Sequence, residues 1–258
     1  MRIARYTTGD DPAYGMVEGE PGSELIMALQ GDPLYVGIVP GAGAIPLEEV
    51  RLLAPVIPRS KVIGIGKNYA GHAAEMASEV PAEPLMFFKP NTSVVGPGDP
   101  IVMPPFSTQV DYEGELAVVI GKIAKDVRAE DAAEVIWGYT VANDVTARDL
   151  QQKDQQWSRA KGCDTFCPLG PWIETDLDPA DLRLRTLVDG EVVQDGRTSD
   201  MVFGVAELVA YASAAFTLLP GDVILTGTPE GVGPVQPGQR VSVEIEGIGS
   251  LDNPYLRR

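Results

Sequence analysis

The run Val110-Asp111-Tyr112-Glu113-Gly114-Glu115-Leu116-Ala117-Val118-Val119-Ile120 constrains this chain more than any other stretch. Its apolar, β-branched tail predicts a buried strand. Side chains two apart on a strand point the same way, so Glu113 and Glu115 face one side, about 7 Å apart along the backbone. Two carboxylates that close, at the mouth of an apolar strand, repel each other and resist desolvation. A divalent cation removes both costs. Gly114 between them suits close approach by a ligand or another backbone. An arbitrary Glu-x-Glu usually lies on a solvated edge, because charged side chains are mostly exposed. Here, however, a third carboxylate, Asp144, ends a second apolar run over residues 135–143, and the chain has a single histidine. A zinc site of several imidazoles is therefore excluded. An all-oxygen site for a hard cation remains, Mg²⁺ or Mn²⁺, with Ca²⁺ as a stand-in in a crystal.

A chain of 258 residues can bury one large core, alone or with a small appendage. A formal net charge of −17 argues against nucleic acid, whose backbone needs Lys and Arg, and against anionic membrane surfaces. An acidic protein that handles an anionic substrate must gather its cations locally, so their placement is informative. No stretch approaches the ~20 apolar residues of a membrane span. The first ten residues lack an apolar core of signal-peptide length. Cys163 and Cys167, in Cys-Asp-Thr-Phe-Cys, fit neither the redox Cys-x-x-Cys spacing nor a four-ligand zinc site. Two buried free thiols in a reducing compartment are expected, and with them a cytoplasmic protein.

Residues 1–57 alternate short apolar runs with Gly, Pro and acidic residues, which predicts a small β domain; residues 58–258 then form the larger domain, which carries the candidate site residues. The stretch Lys61-Val62-Ile63-Gly64-Ile65-Gly66-Lys67-Asn68-Tyr69 reads as a strand running into a glycine turn. A dinucleotide fold is disfavoured, because Tyr69 replaces the third glycine that close helix–strand packing requires. A short helix follows, with His72 and Glu75 at i and i+3 on one face. A carboxylate on one ring nitrogen fixes the tautomer and raises basicity at the other, as a general base requires. Gly71 and the trailing Val80-Pro81-Ala82-Glu83-Pro84 predict a mobile lid. Further helices are expected over 126–135 and 145–154, the latter with an acidic start, and a last one over 205–213. Lys161 either holds a substrate oxygen or is solvated. Residues 182–252 otherwise read as strands and turns, including a hairpin at Asp189-Gly190. The loop 225–233 lacks the Lys of a P-loop, yet its Thr hydroxyls and amides can bind a carboxylate.

Taken in order, Gly66-Lys67-Asn68-Tyr69-Ala70-Gly71-His72-Ala73-Ala74-Glu75, Phe88-Lys89-Pro90, Tyr112-Glu113-Gly114-Glu115-Leu116, Asn143-Asp144-Val145-Thr146-Ala147-Arg148-Asp149-Leu150-Gln151, Ala160-Lys161-Gly162 and Thr226-Gly227-Thr228-Pro229 resemble the fumarylacetoacetate hydrolase family. The resemblance spans residues 60–253. It implies an α+β, β-rich fold, a mixed β-sheet roll with a few peripheral helices and a small N-terminal β domain, usually as a homodimer. It also implies Mg²⁺ or Mn²⁺ on Glu113, Glu115 and Asp144. By the same resemblance His72 and Glu75 are the catalytic pair on a closing lid, and Lys161 is the active-site lysine. Gln151 and Thr228 match substrate-lining positions, as do Lys67 and Tyr69. Lys67 stands where the family usually has arginine, and a lysine cannot make the bidentate fork.

The implied substrate is a small 2-oxo (di)carboxylic acid, which chelates the cation through its carboxylate and 2-oxo oxygen. The cation then stabilises the enolate formed as the bond beyond C3 breaks. In an acylpyruvate or fumarylpyruvate, His72 assisted by Glu75 activates the attacking water; in oxaloacetate, CO₂ departs instead. Tautomerisation, or isomerisation of a 2-hydroxyhepta-2,4-diene-1,7-dioate type of substrate in aromatic catabolism, uses the same enolate. The residues do not choose among these. A paired-carboxylate glycoside hydrolase needs its acids across a sugar bond, which Glu113 and Glu115 do not offer. A non-catalytic, metal-stabilised binding protein would have no use for the His–Glu pair.

Overall fold

The computed structural model describes residues 1–9 and 11–257. At its centre lies the strand Gly114–Ile120, every residue of which is buried. It pairs antiparallel with Ile136–Asn143 on one side and with Val223–Leu225 on the other. Alternate residues serve different cores, as the period of a strand dictates. Leu116, Val118 and Ile120 join one cluster with Leu184, Val243 and Leu251. Ala117 and Val119 join another with Val62, Leu169 and Val223. Burial on both faces is why the run is continuously apolar instead of alternating.

From that centre a large sheet extends both ways. Towards one edge come Val223–Leu225, Val62–Gly66 and Leu85–Lys89; towards the other come Ile136–Asn143, Cys167–Glu174 and the N-terminal strands Arg2–Thr7, Ala13–Glu18, Leu25–Leu29 and Pro40–Pro46. Val223–Leu225 and Val62–Gly66 run parallel while most other neighbours are antiparallel, so the sheet is mixed. The N-terminal strands thus prolong the central sheet, through Arg2↔Glu174 and Ile3↔Ile173, and the terminal ammonium pairs with Glu174. A second sheet, ordered Glu191–Arg197, Arg183–Val188, Arg240–Ile245, Gly249–Arg257, Ile101–Met103, covers the first core cluster. The fold is the β-rich α+β roll that the sequence indicates, with short helices at its periphery.

Several local expectations change. Residues 126–135 yield only the 3-10 helix Ala129–Glu134. The helix expected from residue 145 starts at Arg148, because Thr146–Ala147 is drawn into a strand beside Val110–Tyr112. Cys163 is half-buried, and only Cys167 is fully buried. The Asp189-Gly190 hairpin forms with φ of 49° and 86°, the left-handed pair that such a turn needs. Gly114 admits neither ligand nor backbone. A Cβ there would lie 2.3 Å from Thr186 Oγ1 and 3.0 Å from Val243, side chains of the second sheet.

Glu113 lies between two strands that belong to different sheets, Val110–Tyr112 and Gly114–Ile120. Asp144 follows directly on Ile136–Asn143, and its N–H donates to the Glu113 carbonyl at 2.8 Å. Both carboxylates therefore project from corners where the chain leaves the large sheet.

Asp222 secures the entry of Val223–Leu225 into this sheet. Fully buried, it accepts from the N–H groups of Lys61 (3.1 Å) and Leu219 (2.8 Å) and pairs with Lys61 Nζ at 2.6 Å. Removing one partner of a buried pair leaves the other uncompensated. We expect Asp222→Ala to lower the unfolding free energy by about 3 kcal/mol in urea titration, and Asp222→Asn to lower it less.

Candidate active site

Glu113, Glu115 and Asp144 are all buried, and each offers a carboxylate oxygen within 4.8 Å of the others. Three cations reach them from other elements. Lys161, which ends the helix Ser158–Lys161, donates to Glu113 Oε2 at 2.7 Å and to Asp144 Oδ2 at 2.6 Å. Lys89, which ends the strand Leu85–Lys89, donates to Asp144 Oδ1 at 2.5 Å. Arg148 donates to Glu113 Oε1 at 2.6 Å and to Asp111 at 2.8 Å. Glu115 has no cation partner among the described residues; it accepts only the Gly227 N–H, at 2.7 Å.

This unequal sharing separates the acids. Burial alone would raise the Glu113 carboxyl, but Lys161, Arg148 and His72 hold it well below the usual carboxylate range. Burial raises the Glu115 carboxyl, and Asp144 and Glu113 beside it push it further up. Burial disfavours the Lys161 ammonium, yet Asp144 and Glu113 more than restore it. Four carboxylates thus share three cations, and the carboxylate left over faces the other two members of the oxygen cluster. That donor set, hard oxygens with an uncompensated negative charge at its centre, fits a divalent cation of the Mg²⁺ or Mn²⁺ kind.

A cavity of about 180 Å³ opens onto the cluster. Lys67, His72, Gln151, Lys161 and Thr228, with Glu113 and Glu115, stand on its wall. His72 is buried on the helix Ala70–Glu75, and its Nδ1 lies 3.4 Å from Glu75 Oε2. Glu75 also accepts the Gly231 N–H at 3.2 Å, so the helix expected as a mobile lid is docked against the loop that carries Thr228. Lys161, which the sequence left as either solvated or substrate-facing, is buried and tied to two carboxylates. Lys67 holds a left-handed backbone, φ 59°, at the glycine turn, and pairs with no acid among the described residues. Such strain in a side chain other than glycine collects at sites where direction matters.

Tyr69 differs from the others. It is fully buried, its hydroxyl has no hydrogen-bond partner among the described residues, and it is not among the residues that line the cavity. Burial, then Glu115, Asp200 and Glu230, push its phenol up. Asp144 also sits behind the wall, reaching the cavity through Lys161.

Sequence reasoning missed Lys89, Arg148 and Gln194. Lys89 closes an otherwise apolar run, an odd place for a solvated lysine. Arg148 opens a helix, where the macrodipole disfavours a cation, and the acids Asp111 and Glu113 offset that cost. Gln194 carries no comparable signal.

Known proteins share this arrangement of sequence. The model of the fumarylacetoacetate (FAA) hydrolase C-terminal family matches residues 61–255, and an Rv2993c-like N-terminal model matches residues 1–55. Protein Rv2993c of Mycobacterium tuberculosis is 52% identical over 268 residues, covering 100% of this chain and 99% of that protein. The oxaloacetate tautomerase FAHD2A of human mitochondria is 48% identical over 224 residues, covering 82% of this chain and 71% of that protein. The crystal structure of 5-carboxymethyl-2-hydroxymuconate delta-isomerase from Mycobacterium smegmatis matches 100% of both chains with a TM-score of 0.93 and 52% identity. With the family model matching residues 61–255, well over half of the chain, and a relative 52% identical along the full length, this chain belongs to the fumarylacetoacetate hydrolase family.

Proposed function

We propose that this enzyme moves protons on a small 2-oxo dicarboxylic acid, interconverting keto and enol forms or shifting a conjugated double bond, with Mg²⁺ or Mn²⁺ held by Glu113, Glu115 and Asp144. The observation that carries this reading is the placement of the chain's one histidine, paired with Glu75, on the wall of the cavity that the carboxylate cluster opens into. The relatives named as a tautomerase and an isomerase support it. So does the cavity, whose 180 Å³ is below the roughly 300 Å³ at which sites for drug-sized ligands begin.

When bound, the cation supplies Lewis-acid polarisation of a chelated carbonyl oxygen. The rest falls to side chains. With Glu75 beside Nδ1, the ring proton sits on Nδ1 and leaves Nε2 as the proton acceptor. His72 takes the proton from the carbon next to the carbonyl and returns it at the other end of the conjugated system. No bond between heavy atoms breaks, so one base that accepts and returns a proton suffices. Lys67, which pairs with no acid among the described residues, offsets a carboxylate of the substrate. Lys161 stays charged between Glu113 and Asp144, which suits it to donate hydrogen bonds and not to accept a proton. Gln151 and Thr228 complete the polar wall.

Carbon–carbon cleavage, by decarboxylation of oxaloacetate or hydrolysis of an acylpyruvate, is the second reading. The same His72–Glu75 pair favours it, since a base fixed in this way also activates water. The two readings separate by product. The panel comprises oxaloacetate, acetylpyruvate, fumarylpyruvate, fumarylacetoacetate and 2-hydroxyhepta-2,4-diene-1,7-dioate, with Mg²⁺ or Mn²⁺. The expected outcome is keto–enol or double-bond exchange with every carbon retained; pyruvate or split acids as the dominant products would instead establish cleavage.

Two substitutions test the parts. His72→Ala is expected to lower kcat by about 10²- to 10⁴-fold with little change in KM. Unchanged kcat would remove the histidine from the mechanism. Glu115→Ala is expected to abolish Mn²⁺ binding in calorimetry together with activity, and full turnover by the wild type in chelator would refute the metal site.

A further inference from the structure

Gln194 lies on Glu191–Arg197, in the second sheet, and is fully buried. Its Oε1 accepts the Gly114 N–H at 3.0 Å. Its Nε2 donates to the Pro229 carbonyl at 2.9 Å and to Thr228 Oγ1 at 2.8 Å. An amide's two ends are ordinarily hard to tell apart, but here the backbone decides. A peptide N–H can only donate and a peptide carbonyl can only accept, so the amide has one orientation. Thr228 Oγ1 must then be an acceptor towards Gln194, and its own proton has to point elsewhere. Thr228 donates to no group among the described residues, and it stands on the cavity wall.

We infer that Gln194 is a positioning residue: its amide N–H occupies one lone pair of the Thr228 hydroxyl and so turns that hydroxyl's proton into the cavity, where it donates to an anionic oxygen, carboxylate or enolate, of the ligand. The inference rests on the reading of the cavity as the site of a 2-oxo acid. One amide does two further things. It holds Gly114, the glycine between Glu113 and Glu115, by its N–H. It also holds the Thr228–Pro229 segment, so the carboxylate pair and the anion donor are set from one point. Thr186, directly across the strand pair from Gln194, packs against the same glycine and leaves no room for a side chain there. The polarity of the Thr228 spot is thereby built into the second sheet, outside the cavity.

The test is a substitution that keeps shape and changes hydrogen count. In Gln194→Glu the introduced side chain can still accept from Gly114, but it offers at most one proton where the amide offered two. The Pro229 carbonyl claims that proton if present, and the Thr228 hydroxyl turns back to donate to the new carboxyl. Binding of oxalate, a planar dianion, in the presence of Mg²⁺ is read by calorimetry, and KM and kcat are read for the substrate found by the panel above. The expected result is a loss of about tenfold in oxalate affinity and a matching rise in KM for Gln194→Glu, with kcat changed much less. Thr228→Val should give the same loss, Thr228→Ser should retain wild-type affinity, and the double variant Gln194→Glu/Thr228→Val should be no worse than either single one. Losses that multiply in the double variant, or undiminished oxalate binding in Gln194→Glu, overturn the inference. Should Gln194→Glu not fold, Gln194→Met, similar in length and without an N–H to donate, leaves the Thr228 hydroxyl free to rotate and is expected to weaken oxalate binding and raise KM in the same direction; undiminished oxalate binding then overturns the inference. If the wild type turns over no 2-oxo acid while oxalate binding still weakens as described, the proposed reaction fails and the role of Gln194 stands.

Discussion

Every feature of the site follows from one electrostatic imbalance, three cations set among four buried carboxylates. Lys89, Arg148 and Lys161 each contact a carboxylate directly, and Glu115 is the one acid that none of them reaches. A buried charge without a partner is costly, and the usual escape is to take up a proton. The raised carboxyl of Glu115 expresses that tension. The same residue makes the cluster receptive to a positive ion, so the feature that burdens the fold is the one on which the proposed metal site rests. On that proposal, function and local instability share one cause.

Such a burden needs a stiff surround, and the two sheets provide it. Gly114–Ile120 is buried on both faces, so a slip of one residue would exchange its two core faces and move Glu115 with them. Below the carboxylates, Thr186 and Gln194 of the second sheet meet Gly114 so closely that no side chain fits. The cations arrive on the ends of separate elements, a strand for Lys89 and short helices for Arg148 and Lys161. No single segment can shift without breaking a charged hydrogen bond to another. That is the preorganisation a site needs when it stabilises charge developing on a substrate.

The oxygen cluster was legible in the sequence because its logic is local. Period-two spacing put Glu113 and Glu115 on one side, and an acid at the end of a second apolar run marked Asp144. The His72–Glu75 pair was legible for a similar reason, i and i+3 on one turn of helix. What could not be read were contacts between elements far apart in the sequence. Lys89 and Asp144 are 55 positions apart, and Gln194 and Gly114 are 80 apart. Local pattern carries no information about which of many polar side chains will meet at that range. The Tyr69 expectation illustrates the opposite hazard. Its motif position suggests contact with substrate, while the backbone turn at Lys67 sends the ring into the interior.

The charge balance also bears on how so acidic a molecule would handle the anionic substrate proposed for it. With a net charge of −17, the surface as a whole repels a dicarboxylate. Yet Lys67, Arg148 and Lys161 stand together on one small cavity wall. Arg148 and Lys161 are already committed to carboxylates of the protein, so the cation of that wall without an acidic partner among the described residues is Lys67, at the glycine turn. Its left-handed backbone then has a physical rationale, since it sets that positive charge on the cavity wall. On the proposed reading, selecting a small anion in a molecule this acidic is less a matter of total charge than of one cavity-wall cation left unpaired among the described residues.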